Sequence, residues 1–306
     1  MRRFAAALGL VIAATATAPA LGSDSARPLR VVTLNLLHGG ASSGLTGDTR
    51  DLDTRLAIVI EELRRLAPDV VALQEASEGR RRGVVAQRIA DALGYHYVFE
   101  PATTRLSPVG FFNRFVVAML DFAEGPAVLS RFTITRSEVY ELPRCLKRWE
   151  PRVLLRADVA TPHGALAVFT THTASDPCQV RRVGEIVKAR AASGPVLLTG
   201  DLNRIETSEG MDALNGPGGL VDAFRAAHPD ALGATVYQHV DAAVPTATRR
   251  VDYIFLGGVE GGSHAVCDSR VVLDRPMRRS DGRPLWPSDH YGVLADLALF
   301  GIQCAP

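Results

Sequence analysis

At 306 residues with 47% hydrophobic content, the chain can bury a sizeable core and holds one large domain or two modest ones. Its 34 Lys and Arg face 33 Asp and Glu, so the net field is weak. That balance excludes a general pull towards polyanions and leaves room only for a local basic groove.

The chain opens as an export signal over residues 1–22. Arg2 and Arg3 give a positive start, Phe4 to Ala14 an apolar run, and Ala20-Leu21-Gly22 a small-x-small cleavage site. A membrane anchor needs about 18 or more unbroken apolar residues, and this run is shorter and broken by Thr and Pro. The expectation is a secreted or periplasmic protein whose residues 23–306 form one domain, since no repeat divides them.

Leu29 to Leu36 reads as the first strand. Leu52, Leu56, Val59, Ile60, Leu63 and Leu66 then fall on one stripe of a helix, with Asp51 or Asp53 to cap its start and Pro68 to close it. Strands at Val70 to Leu73 and Tyr95 to Phe99 flank a helix from about Val84 to Leu93 that stops at Gly94. Phe111 to Leu120 is the most apolar stretch after the signal and reads as a buried strand or helix; the alternative is an exposed hairpin that dips into lipid. Strands follow at Ala127 to Leu129, Val153 to Val159 and Leu166 to Thr171. A third helix carries Val180, Val183, Ile186 and Val187 and stops at Ser193-Gly194-Pro195. Further strands lie at Val196 to Thr199, Val251 to Leu256, Ser269 to Leu273 and Gly292 to Leu299. Many strands with few helices predict stacked sheets rather than one doubly wound sheet.

Polar residues of one chemical kind recur where these strands end. Asn35 closes the first, Gln74-Glu75 follow the second, His172 follows Thr171, and Asp201 and Asn203 follow Gly200. Asp252 and Ser288-Asp289-His290 sit instead at strand starts, and antiparallel strands would bring them to the same rim. Each alone reads as a turn residue, an exposed carboxylate or a packing histidine. Together, carboxylate and amide oxygens without thiolates suit Mg²⁺ or Mn²⁺, and two histidines add proton chemistry.

Two other segments could touch substrate. Arg80-Arg81-Arg82 follows the Glu75 loop and reads first as solvated surface. Arg144, Lys147, Arg148, Trp149 and Arg152 crowd between two strands and could grip a phosphate or stack on a base or sugar. Cys145, Cys178, Cys267 and Cys304 are even in number and lack metal-site spacing, so two disulfides are expected from three possible pairings. Cys145–Cys178, tethering the basic segment beside His172, and Cys267–Cys304, tying a late strand to the tail, are the expected pairs.

The ordered motifs Val31-Val32-Thr33-Leu34-Asn35, Pro68-Asp69-Val70-Val71-Ala72-Leu73-Gln74-Glu75, Thr171-His172-Thr173, Gly200-Asp201-Leu202-Asn203, Val251-Asp252-Tyr253-Ile254 and Ser288-Asp289-His290 resemble those of the endonuclease/exonuclease/phosphatase superfamily. Gly125 to Arg131 resembles its mid-chain signature. The resemblance implies a four-layer α/β/β/α sandwich and a metal-dependent phosphoesterase. It makes Glu75 the principal metal ligand, with Asn35 beside it and Asp289 in support. Asp201 and Asn203 would hold the attacking water or phosphoryl oxygens, His290 oriented by Asp252 would be base or electrostatic partner, and His172 would face the phosphate or leaving group. The expected substrate is a phosphodiester, in a nucleic acid or a phospholipid headgroup, handled by a monomer without a protein partner. A sphingomyelinase-like phospholipase C and a catalytically silent binding module are the alternatives.

Overall fold

The computed structural model describes residues 27–38, 51–105, 110–145 and 150–304. The export signal, Lys147, Arg148 and Trp149 lie outside the described residues. In chain order the strands are β1 (Leu29–Asn35), β2 (Val70–Gly79), β3 (Gly83–Val84), β4 (His96–Phe99), β5 (Ala123–Ser130), β6 (Ile134–Glu141), β7 (Val153–Thr161), β8 (Gly164–His172), β9 (Val196–Asp201), β10 (Val221–Asp222), β11 (Asp252–Gly257), β12 (Val266–Val272), β13 (Met277–Arg278), β14 (Pro284–Leu285) and β15 (Gly292–Leu297). The helices are α1 (Leu52–Leu66), α2 (Val85–Leu93), α3 (Gly110–Leu120), α4 (Pro177–Ala191), α5 (Asp212–Asn215) and α6 (Ala223–Ala227).

One sheet has the order β12-β15-β1-β2-β5-β4, with β3 on β2, and the other β10-β11-β9-β8-β7-β6. Successive strand residues face opposite sides, which sorts the apolar residues into three buried clusters. Val32, Leu34, Val71 and Leu73 meet Leu56, Val59 and Leu63 of α1 and Ile89 of α2. Their neighbours Val31 and Val70, with Val128 and Val293, face Leu155, Val168, Leu197 and Ile254 across the gap between the sheets. Phe169, Leu198 and Phe255 on the far side receive Val180, Val183 and Val187 of α4. Three apolar interfaces make the predicted four layers: helices, sheet, sheet, helices. Both faces of each sheet are covered, so the central strands read as continuous apolar runs rather than alternating ones.

Three local expectations are corrected. Asp51 stands at the N-cap of α1 but makes no side-chain cap bond, and its carboxylate accepts from Arg279 at 2.6 Å. Strand β6 is absent from the sequence reading because it is an edge strand, mostly polar and half-exposed. The apolar stretch 111–120 is helical, as α3, but not buried throughout: Phe115 and Met119 are more than half exposed.

Both disulfides pair as expected, Cys145–Cys178 and Cys267–Cys304, across sequence separations of 33 and 37 residues. The first ties the loop after β6 to the first turn of α4, and the second ties β12 to the C-terminal tail. Closing loops of this length constrains the unfolded chain, and each bridge contributes about 2–4 kcal/mol. Replacing Cys267 and Cys304 by serine should lower the unfolding free energy by about that amount in urea titrations, with an unchanged far-UV spectrum.

Candidate active site

Strand pairing alone builds the rim. In the second sheet β8 and β9 run parallel with His172 beside Asp201, and β11 runs antiparallel to β9 with Asp252 opposite the same Asp201. Three adjacent strands thus present His172, Asp201 and Asp252 in a row. In the first sheet Asn35 pairs with Gln74 on parallel β1 and β2, and β15 runs antiparallel to β1, so the residues preceding it return to the same end. Ser288 locks this return: its hydroxyl donates to the Asn35 carbonyl at 2.6 Å and accepts from the His290 N–H at 3.2 Å. Buried Arg55 reinforces it, donating to the Leu36 and Leu37 carbonyls at 2.6 Å and the Pro287 carbonyl at 3.1 Å.

Alternation would turn Glu75 away from the rim. Its neighbour Gln74 points into the gap between the sheets, donating to Thr33 Oγ1 at 3.0 Å and to Thr170 Oγ1 of the opposite sheet at 2.9 Å. A register shift between Leu73 and Ala76, with Glu75 at φ 52°, re-aims the carboxylate onto the rim. There Glu75 Oε1 accepts from Asn35 Nδ2 at 3.1 Å, and the same amide donates to Asp201 Oδ2 at 3.1 Å. Gly200 is required by a second close approach: a Cβ there would lie 2.1 Å from the Thr171 carbonyl oxygen.

His290 sits between two buried carboxylates. Its Nδ1 is 2.9 Å from Asp252 Oδ2, and its Nε2 is 3.7 Å from Asp201 Oδ2. Burial opposes its charge, but Asp252 and Asp201 outweigh that cost and push the imidazole pKa up to about 10. Burial, opposed by His290 and helped by Asp252, pushes Asp201 up to about 7. Burial likewise raises Asp289, with the charge of Glu75 adding to it and that of His290 opposing it.

His172 forms the other wall. Arg152 Nη1 lies 2.8 Å from its Nδ1, and its Nε2 is 3.4 Å from Asp201 Oδ2. Asn203 holds the turn after β9: its N–H donates to Asp201 Oδ1 at 2.7 Å and its amide lies 2.9 Å from His172 Nε2.

Asn35, Glu75, His172, Asp201, Asn203, Asp252 and His290 thus meet directly or through one shared neighbour, Asp289 lies close enough to feel Glu75, and Arg152 reaches the group through His172. Arg144 instead donates to the Arg105 carbonyl. Of the basic run, Arg80 pairs with Asp121 at 3.2 Å and Arg82 is buried with its guanidinium over Phe122. Three rim residues escaped the sequence reading. His38 follows Asn35 by three positions and faces Glu75 and Glu124. Glu124, just before the Gly125 to Arg131 signature, is raised to about 7 by burial and by the charge of Glu75. Tyr237 is half-exposed, edge-on to His290 at 6.2 Å, with the Arg249 guanidinium over its face. A lone His, Glu or Tyr outside a motif carries no signal that would single it out.

The carboxylates fit a divalent cation. Glu75 and Asp289 supply oxygen, and Glu124 Oε2 is buried without a hydrogen-bond partner, while Asn35 turns its Nδ2 to Glu75 and its Oδ1 accepts from the Leu37 N–H at 3.0 Å.

The His290 pKa has a direct test. Because it is raised in the fold, the imidazolium contributes stability that is full below the unfolded value of about 6.5 and is lost as pH rises through about 10. In a ¹⁵N NMR titration His290 should stay protonated through neutral pH, and Asp252→Asn should lower its pKa; a value near 6.5 in both proteins would contradict the assignment.

A model of the Endonuclease/Exonuclease/phosphatase family matches residues 32–290. No curated protein matches the sequence. Among solved structures, an endonuclease/exonuclease/phosphatase from Beutenbergia cavernae superposes with a TM-score of 0.63 at 26% identity, covering 90% of this chain and 72% of that one. A mannosyl-6-phosphatase from Bacteroides thetaiotaomicron gives 0.64 at 21% identity, over 88% and 99% of the two chains. TDP2 from Caenorhabditis elegans gives 0.60 at 18% identity, over 88% and 74%. The ordered strand-end motifs, the four-layer sandwich and the match over residues 32–290 together place this chain in the endonuclease/exonuclease/phosphatase family.

Proposed function

We propose that the chain is an exported, divalent-metal-dependent phosphodiester hydrolase. The observation that carries this reading is the single rim on which the Asp252–His290–Asp201 chain meets the Asn35–Glu75 pair. Family membership supports phosphoester hydrolysis, and the two disulfides with the N-terminal signal pattern support export.

Hydrolysis needs an in-line water, stabilisation of charge on the non-bridging oxygens and help for the leaving alkoxide. A Mg²⁺ or Mn²⁺ held by Glu75, with Asp289 in support and Asn35 orienting the Glu75 carboxylate, would supply Lewis-acid stabilisation of the phosphoryl charge. Asp201, raised towards neutrality, takes a proton from water, and Asn203 fixes its orientation. His290 is charged below its raised pKa and acts as an electrostatic partner for a phosphoryl oxygen, held in place by Asp252. His172, with Arg152 behind it, serves the phosphate or leaving group. Tyr237 and Arg249 form a wall beside His290 against which a planar group could stack.

Among substrates, a nucleic-acid or general phosphodiester stands first. A sphingomyelinase-like action at lipid has one specific support, the exposed Phe115 and Met119 spaced four residues apart on α3. Plasmid DNA, sphingomyelin vesicles and an inositol phosphate assayed in parallel with Mg²⁺ separate these readings. Turnover on none of them, nor on a chromogenic phosphodiester, would favour the silent binding module.

Mutation separates cation binding from the work of the Asp252–His290 pair. Glu75→Gln should lose metal affinity and turnover together. His290→Ala should keep metal but lower turnover by about two to four orders of magnitude, with Asp252→Asn between it and wild type. The double variant should cost little more than His290→Ala, because the pair works as a unit. Calorimetric metal titrations beside steady-state rates on one phosphodiester make the test. Near-normal turnover by His290→Ala, or additive losses in the double variant, would transfer the role to His172.

A further inference from the structure

Glu75 presents two different flanks. Its Oε1 faces Asn35 Nδ2 at 3.1 Å and His172 Nδ1 at 3.8 Å, the side that the proposed reaction uses. Its Oε2 faces the other way, 3.3 Å from the His38 N–H and 3.4 Å from His38 Nε2. Glu124 Oε2 completes a triangle on that outer flank, 3.6 Å from the same His38 nitrogen. Each of the three side chains offers one ligand atom, and the three atoms lie within 4.8 Å of one another.

Such a triangle suits a cation. Four-coordinate ligands at roughly 2.0–2.1 Å from a metal stand about 3.3 Å apart, close to the 3.4 and 3.6 Å that separate His38 Nε2 from the two carboxylate oxygens. Two carboxylates face each other across the His38 imidazole, with the Arg152 charge also acting on Glu124, and Glu124 Oε2 is buried without a hydrogen-bond partner. The surroundings hold the ligands in place: the ring of Phe122 packs edge-on against His38 with centroids 5.0 Å apart, and Glu124 lies on β5, paired with Ser77 of β2. The elements carrying Glu75 and Glu124 are therefore hydrogen-bonded neighbours, and the site needs no movement of one sheet against the other.

We propose that His38, Glu75 Oε2 and Glu124 form a second cation position, selective for a borderline transition ion such as Zn²⁺ over Mg²⁺. The chemistry of the donors sets the selectivity. Imidazole nitrogen favours Zn²⁺, Cu²⁺ and Ni²⁺, whereas Mg²⁺ keeps to oxygen and releases its waters reluctantly. Sharing Glu75 is the only way in which this inference rests on the hydrolase reading.

The test titrates metal-stripped protein with Zn²⁺ in a calorimeter while Mg²⁺ is held in excess. One tight Zn²⁺ equivalent is expected, and His38→Ala and Glu124→Gln should each weaken it by at least about 100-fold, more than loss of a group behind the ligands costs. Imidazole ¹⁵N NMR of the wild-type protein gives a readout free of mutation: Zn²⁺ should shift His38 Nε2. Failure to bind Zn²⁺ under excess Mg²⁺, binding that both variants leave intact, or an unmoved His38 resonance would overturn the proposal; the last would leave His38 an ion-pair partner of the two glutamates. Hydrolysis of a phosphodiester by the wild-type protein with Mg²⁺ alone is scored separately. Its absence would remove the hydrolase reading and leave the Zn²⁺ result standing.

Discussion

The rest of the site depends on a concentration of negative charge that the fold forces together. Glu75, Glu124, Asp201, Asp252 and Asp289 come from five segments and meet at one rim, where burial keeps water from screening them. Like charges held this closely in a low-dielectric setting repel strongly. The protein offsets part of the repulsion with His290, which is driven to hold its proton, and with Asn35, whose single amide bridges Glu75 and Asp201. What remains is an electrostatic deficit that a divalent cation and then a phosphoryl transition state can meet. Binding and catalysis share one physical cause in this view, because the Glu75 charge that attracts the cation also helps to raise Glu124 and Asp289 beside it.

The scaffold spends its most specific interactions on holding that cluster. Gln74 crosses from one sheet to the other to bond Thr33 and Thr170, fixing the spacing between the sheets directly beneath the rim. Arg55, 1% exposed, uses its guanidinium to bind carbonyls from the loop after β1 and from the segment before Ser288. Removing either side chain would leave buried polar groups without partners, which is more costly than the loss of one ordinary hydrogen bond. The bulge at Glu75 belongs to the same set of devices: a regular strand would aim that carboxylate at the helix layer.

Much of this was legible in the sequence, and the reason is geometric. A strand buried on both faces leaves a long apolar run, and its polar final residue is conspicuous. Asn35, Asp201 and His172 stood out for that reason, and Asp252 and His290 did so at strand starts. Directionality then followed from requiring one rim. What stayed hidden had no such contrast. Arg55 lies on the apolar stripe of α1 between Leu52 and Leu56, where it reads as an interruption until the carbonyls it binds are in place. Glu124 precedes the recognisable part of β5 by only a few residues, and His38 lies beyond the end of β1. Their roles arise from which strands become neighbours, a fact of tertiary pairing. The polar edge strand β6 and the half-exposed α3 were misread for a related cause, since a pattern of apolar residues reports burial only where both faces are covered.

If charge repulsion at the rim is the organising constraint, a cation should stabilise the fold itself as well as support turnover. Differential scanning calorimetry of metal-stripped protein over a range of Mg²⁺ and Mn²⁺ concentrations measures that linkage, because a ligand that binds only the folded state raises the melting temperature with the logarithm of its concentration. A saturable onset followed by this steady rise is expected, abolished in Glu75→Gln. A melting temperature indifferent to either ion, or a rise that persists unchanged in Glu75→Gln, would contradict it.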